Sequence, residues 1–223
     1  LPEMSDTGWS FNLDRVLSGD STGWARSTAR RFQIHLQIGF GESGPEGRGF
    51  NCTAIARPDG SLGRVYRKMH PFSYGREIEH YARGETVLVD QVDSIRICPS
   101  ICYDLRFPEL YRHAALAGAE IITVIASWPQ VRATHWKALV IARAIENQSY
   151  VIAVNRTGRD PSFEYGGGSL IVSPHGEILA EGGLETEVLE AEFNRELLQD
   201  WRKTFPALDD LHPHLLGASP PNR

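Results

Sequence analysis

No apolar run in this 223-residue chain approaches the roughly 20 residues that a membrane-spanning helix requires. No collagen, coiled-coil or solenoid period repeats along it either, which removes the fibrous and repeat architectures. Positive charge is in short supply: 23 Lys and Arg stand against 28 Asp and Glu, a net charge of −5. That balance leaves no basic field to hold nucleic acid or an anionic membrane, so small molecules or proteins are the expected partners. Cysteine is scarce and odd in number, three residues that cannot all pair within the chain. The count points to a reducing compartment, and a soluble cytoplasmic protein is the expectation.

What is present suffices for one core. At 41% hydrophobic content the chain can form a single large domain, expected over residues 1–205, and the Pro-rich residues 206–223 predict an extended arm. The opening Leu1-Pro2-Glu3-Met4 reads as the exit from a strand rather than the start of a protein. A capping residue, Asp20 or Ser21, ahead of Trp24, Thr28 and Phe32 predicts a helix over 20–31, with Arg26, Arg30 and Arg31 on a solvated face. Strand signals follow at 34–38, 51–56 and 64–68, with a loop over 41–49 and a Pro58-Asp59-Gly60 turn, which together read as an antiparallel meander. Lys68 ends its strand where Pro71 and Phe72 turn the chain inward, so a buried functional head is weighed against an ordinary edge charge. Residues 73–85 are irregular, and at least two of Glu77, Glu79 and Glu85 should be solvated.

The second half alternates strands and helices. Strands are predicted at 87–90, 94–101, 120–126, 150–155, 168–173, 177–180 and 187–193, and helices at 108–117, 132–148 and 194–203. Pro99 predicts a bulge or an unpaired N–H. Hairpins together with crossovers indicate a layered α/β protein with mixed sheets.

The chemistry centres on Ile97-Cys98-Pro99-Ser100-Ile101-Cys102-Tyr103-Asp104-Leu105-Arg106-Phe107-Pro108. A buried strand enters Cys102 and Pro108 opens a helix, so Cys102 sits in a strand-to-helix turn that frees the N–H of Tyr103 to face an oxyanion. Cys52 and Cys98 read as small core residues. A thiol that attacks an amide or nitrile needs a base and an oxyanion stabiliser, and Glu3 and Lys68 end two other strands that can converge on the same edge. A triad built on His70, His80, His113 or His135 is the rival, although His135 beside Trp136 reads better as a hydrogen-bonded core residue. Arg106, four residues past Cys102, and Arg132, beyond the Ser127-Trp128-Pro129-Gln130 loop, can reach such a pocket, with a plain salt bridge as the alternative for each.

Leu1-Pro2-Glu3, Tyr66-Arg67-Lys68-Met69-His70 and Cys102-Tyr103-Asp104-Leu105-Arg106-Phe107-Pro108-Glu109 resemble the three signature segments of the nitrilase, or carbon–nitrogen hydrolase, superfamily. The loop around Glu77, Ala126-Ser127-Trp128-Pro129 and Ala142-Arg143-Ala144-Ile145-Glu146-Asn147-Gln148 resemble further family segments. The resemblance implies an α/β protein, a four-layer α-β-β-α sandwich, here without the family's first strand and helix, that pairs into a homodimer or higher homo-oligomer. It implies Glu3 as general base, Lys68 with the Tyr103 N–H as oxyanion stabiliser and Cys102 as a thioester-forming nucleophile. Glu77 would orient Lys68 or the attacking water, and neither a metal nor an organic cofactor is needed. Glu77 with His80-Tyr81, Trp128-Pro129 and Lys203-Thr204-Phe205-Pro206-Ala207 are similar to the bacterial omega-amidase branch, which implies a small-molecule 2-oxo acid amide such as 2-oxoglutaramate as substrate. N-carbamoyl, aliphatic amide and nitrile hydrolysis share the catalytic set, and an inactive binding module is the alternative of another class.

Overall fold

A computed structural model describes residues 1–212. Asn12 and Asp20 each accept a backbone N–H three residues on, and so start α1 (Leu13–Leu17) and α2 (Ser21–Phe32). Both helices pack on β1 (Leu36–Ser43) and β2 (Gly49–Ala56), which with β3 (Tyr66–Arg67) form a three-stranded antiparallel sheet. Ala25 and Ala29 of α2 meet Ile38, Phe40, Cys52 and Ala54 there. Arg26 and Arg30 are not simply solvated as expected: they donate to the carbonyls of Gly60 and Asp59, tying α2 to the turn after β2.

After a single turn, α3 (Glu77–His80), the chain builds β4 (Asp90–Val92), β5 (Ile95–Ile101), α4 (Pro108–Leu116), β6 (Ile121–Ala126), α5 (Ala133–Asn147), β7 (Tyr150–Asn155), a small hairpin β8 (Thr157–Arg159) and β9 (Glu164–Gly166), then β10 (Leu170–Val172), β11 (Ile178–Glu181) and α6 (Arg195–Thr204). The second sheet runs β11-β10-β7-β6-β5-β4, parallel from β5 through β7 and antiparallel at both edges. Parallel strands covered on both faces read as continuous apolar runs, and every residue of β6 is buried. One face packs on α4 and α5 through Val124, Trp136, Val140 and Ala144, while Ile55 of β2 meets Ile97, Ile121 and Tyr150 between the sheets. The layers are therefore helix, sheet, sheet, helix.

Several expectations shift. No bulge forms at Pro99: it stays in register with Thr123, and β4 ends opposite Ile97, so the sheet edge beside it is open. Residues 187–193 form no strand: Val188 is 84% exposed, and of the segment's apolar residues Phe193 is the one packed against the core, on Tyr150. Residues 206–212 hold a turn without helix or strand, and the rest of the arm expected at 206–223 lies outside the described residues.

Candidate active site

Three chain segments meet beyond the ends of β3 and β5. Residues 3–7 form a turn that passes so near β1 that a Cβ on Gly39 would stand 2.7 Å from the Met4 nitrogen, so only glycine lets Glu3 cross there. Lys68 follows β3, its backbone N–H bonded to the Asn51 carbonyl at 2.8 Å. Cys102 opens a 3-10 turn, Cys102–Arg106, with φ at 48°, a left-handed conformation unusual for a side-chain-bearing residue. Asp104 holds that turn by accepting from the N–H groups of Ile101 and His70 and from the Tyr66 hydroxyl, while His70 Nδ1 lies 2.8 Å from it. The first N–H groups of the turn, Tyr103's included, have no acceptor within it.

Glu3, Lys68 and Cys102 line one small pocket, together with Tyr103, Arg106, Trp128 and Arg132. Lys68 Nζ lies 2.7 Å from Glu3 Oε1 and 2.9 and 3.1 Å from the two Glu77 oxygens. All three charged side chains are at most 2% exposed. Burial pushes the Lys68 ammonium down, but Glu3 and Glu77 outweigh it and hold Lys68 well above its ordinary value. Burial, then the Glu3 charge, pushes the Cys102 thiol well above its own, against the pull of Lys68 and the Ser127 N–H. The resting pair is a neutral thiol beside a charged ammonium.

Glu77 does not line the pocket. It stands behind Lys68, wholly buried, and also takes the Phe72 N–H at 2.6 Å, a geometry for fixing Lys68 rather than for meeting a water. Glu79 and Glu85 are exposed. Arg106 stacks over Trp128 at 4.7 Å and meets His135 Nδ1 at 3.3 Å; Arg132 lies over Phe72 and Phe163 with its Nη2 buried and unpartnered. Neither arginine pairs with a carboxylate among the described residues, so the salt-bridge alternative fails for both. His135 is exposed and bonded to Arg106, not the core residue expected, and no histidine among the described residues lines the pocket.

Sequence reading missed Asn51, which donates to both Glu3 and Glu77, and Ser127, whose N–H holds Glu3 Oε2 at 3.0 Å. It also missed Trp9, Phe163 and Tyr165 in the pocket wall and Asn155, which brackets Trp128 through its N–H and carbonyl. An asparagine inside a largely apolar strand was the one available signal.

The carbon–nitrogen hydrolase family model matches residues 1–203. The chain belongs to the carbon–nitrogen hydrolase family. It is 36% identical over 219 residues to a 2-oxoglutaramate amidase of Bacillus subtilis, covering 96% of this chain and 85% of that protein. It is 33% identical over 214 residues to omega-amidase YafV of Escherichia coli K12, covering 94% of this chain and 82% of the relative. Among solved structures, a CN-hydrolase superfamily protein from Xanthomonas campestris with an arsenic adduct in its active site superposes with a TM-score of 0.87 at 33% identity, covering 95% of this chain and 83% of the other. The chain is thus a carbon–nitrogen hydrolase of the amidase type, and the architecture above is the family's α-β-β-α sandwich.

Proposed function

We propose that this carbon–nitrogen hydrolase is an omega-amidase that releases ammonia from the terminal amide of 2-oxoglutaramate-like 2-oxo acids, with Glu3, Lys68 and Cys102 as its catalytic residues. The observation that carries the reading is one pocket that joins a buried Glu3–Lys68 pair and the Cys102 turn to two guanidiniums unmatched by any carboxylate of the described residues. A 2-oxo acid amide supplies the missing anion. A binding module has no use for a thiol in a strained turn beside a buried carboxylate, which favours catalysis.

In the reaction, Glu3 accepts the thiol proton as Cys102 Sγ bonds to the amide carbon, and the carbonyl electrons move onto oxygen. The Lys68 ammonium and the Tyr103 N–H stabilise that oxyanion. Glu3 returns the proton to the amine, the C–N bond breaks, and ammonia leaves a thioester on Cys102. Water, deprotonated by Glu3, then adds to the thioester carbon; collapse releases the acid and returns the proton to sulfur. Glu77 positions Lys68, and Trp128 and Arg132 bound the substrate. The proposal includes a homodimer or higher homo-oligomer in the cytoplasm, which light scattering and cell fractionation check.

The test is ammonia release from 2-oxoglutaramate, propionamide, an N-carbamoyl amino acid and an aliphatic nitrile. The expected order places 2-oxoglutaramate first by kcat/KM. A preference for any of the other three would overturn the substrate assignment.

A further inference from the structure

Asn51 sits in β2 at 1% exposure and touches each member of the buried Glu3–Lys68–Glu77 cluster. Its Nδ2 donates to Glu3 Oε1 and to Glu77 Oε1, both at 2.8 Å, and its backbone carbonyl accepts the Lys68 N–H at 2.8 Å. Its Oδ1, by contrast, is buried with no partner. A leucine, branched at the same carbon, would leave no orphaned acceptor, so burial alone does not call for this residue. Turning the amide over would set Oδ1 against two carboxylates, so the two donated bonds fix its orientation. The two carboxylates flank one ammonium, and a neutral double donor joins them without adding charge. Serine can reach only one of them, and aspartate would bring a third negative charge into a buried site.

The consequence falls on Glu3. With Oε1 held by Asn51 and Lys68, its Oε2 faces the Ser127 N–H, which also acts on the Cys102 sulfur. We propose that Asn51 is a positioning residue for the reaction: its carboxamide pins Glu3 Oε1 and Glu77 Oε1 about Lys68, leaving Glu3 Oε2 as the oxygen that exchanges protons with the Cys102 thiol and the leaving amine. The other groups acting on Glu3 are Lys68, the Cys102 thiol and the phenols of Tyr81 and Tyr165, with Glu77 beyond Lys68.

The inference rests on the catalytic reading above, so its test carries a readout that needs no substrate. Asn51→Leu and Asn51→Ser are compared with wild type by kcat and KM for ammonia release across roughly pH 5 to 9, and by the rate of iodoacetamide labelling at Cys102 followed by mass spectrometry. For Asn51→Leu, kcat per labelled site should fall about 10- to 100-fold with KM held within about twofold, in line with losses seen when a supporting hydrogen bond is removed. The acid limb of the kcat profile should move to higher pH, because ionised Glu3 has lost a donor. Asn51→Ser should fall between. A wild-type profile and wild-type kcat per labelled site, with only the melting temperature lowered, would reduce Asn51 to a structural residue. Should Asn51→Leu not fold, the Ser variant decides in the same way: a moved limb supports the role and an unmoved one overturns it. If the wild type turns over none of the four substrates, the catalytic reading fails; labelling then decides Asn51, a roughly tenfold slower rate in the variant supporting the role and an equal rate refuting it.

Discussion

At Cys102 reactivity and burial pull in opposite directions. Burial, then the Glu3 charge, pushes the Cys102 thiol well above its ordinary value, which disfavours a standing thiolate at neutral pH, so in the proposed mechanism the proton leaves as sulfur attacks. In the proposed mechanism that coupling runs through Glu3, whose two oxygens are held by Asn51, Lys68 and the Ser127 N–H. Cys102→Ala should therefore abolish ammonia release while shifting the unfolding midpoint little, since the side chain faces the pocket. Cys52→Ala and Cys98→Ala, both fully buried and away from the pocket, should retain kcat and lose roughly 1–2 kcal/mol in denaturant unfolding. Turnover surviving in Cys102→Ala would refute the nucleophile. Lys68→Met should lower kcat by about 10²–10³, the range for losing one oxyanion donor, with a smaller change in KM. It should also destabilise the fold by about 3–5 kcal/mol, because Glu3 and Glu77 are left buried without their cation.

Among the elements, the turn after β5 decides whether any of this is presented to a substrate. Its left-handed first residue is held by one buried carboxylate, Asp104, which gathers β5 through Ile101, β3 through Tyr66 and the Lys68 segment through His70. Asp104→Ala strands those donors in the interior and should cost about 3–5 kcal/mol by urea unfolding. Asp104→Asn should lose less stability yet still lower kcat, because Cys102 and Lys68 are positioned through the same group. A variant with full turnover would show that the turn holds without it. This element was legible in the sequence because Pro108 and an apolar run bracket it locally; the helix over 133–147 and the buried β6 were legible for the same reason. What escaped reading was long-range. Asn51 bonds a residue 48 positions away and Ser127 one 124 positions away, and no local spacing encodes either. The strand expected over 187–193 failed for the complementary reason: alternation proposes a buried face, and only the assembled sheet decides whether an edge exists to receive it.

Across the whole molecule, the sandwich places titratable groups where they cannot ionise. Burial raises the Cys52, Cys98, Tyr66 and Tyr111 acids above their ordinary values, so at high pH the unfolded chain ionises while the folded one does not. Folded-state affinity for protons then exceeds that of the unfolded state, and stability must fall as pH rises from about 8.5, the ordinary thiol value. Unfolding free energy measured against pH should decline as pH rises above that point, and the double variant Cys52→Ala/Cys98→Ala should delay the decline. The same layering brings Arg106 and Arg132, from opposite sides of β6 in sequence, to one pocket wall. They are not equivalent. Arg106 is engaged with Trp128 and His135, and burial, with a lesser push from Arg132, lowers its pKa; Arg132 keeps a buried Nη2 with nothing to donate to. A charged hydrogen bond to a substrate carboxylate contributes about 1.5–3 kcal/mol, so Arg132→Ala should raise KM for 2-oxoglutaramate by roughly 10- to 150-fold. Propionamide, with no carboxylate to lose, should be hydrolysed by the variant within about twofold of wild type. Arg106→Ala should do less to the charged substrate, since its guanidinium is already shared. Equal losses on both substrates in Arg132→Ala would make that arginine a wall of the pocket rather than the partner of the substrate's charge.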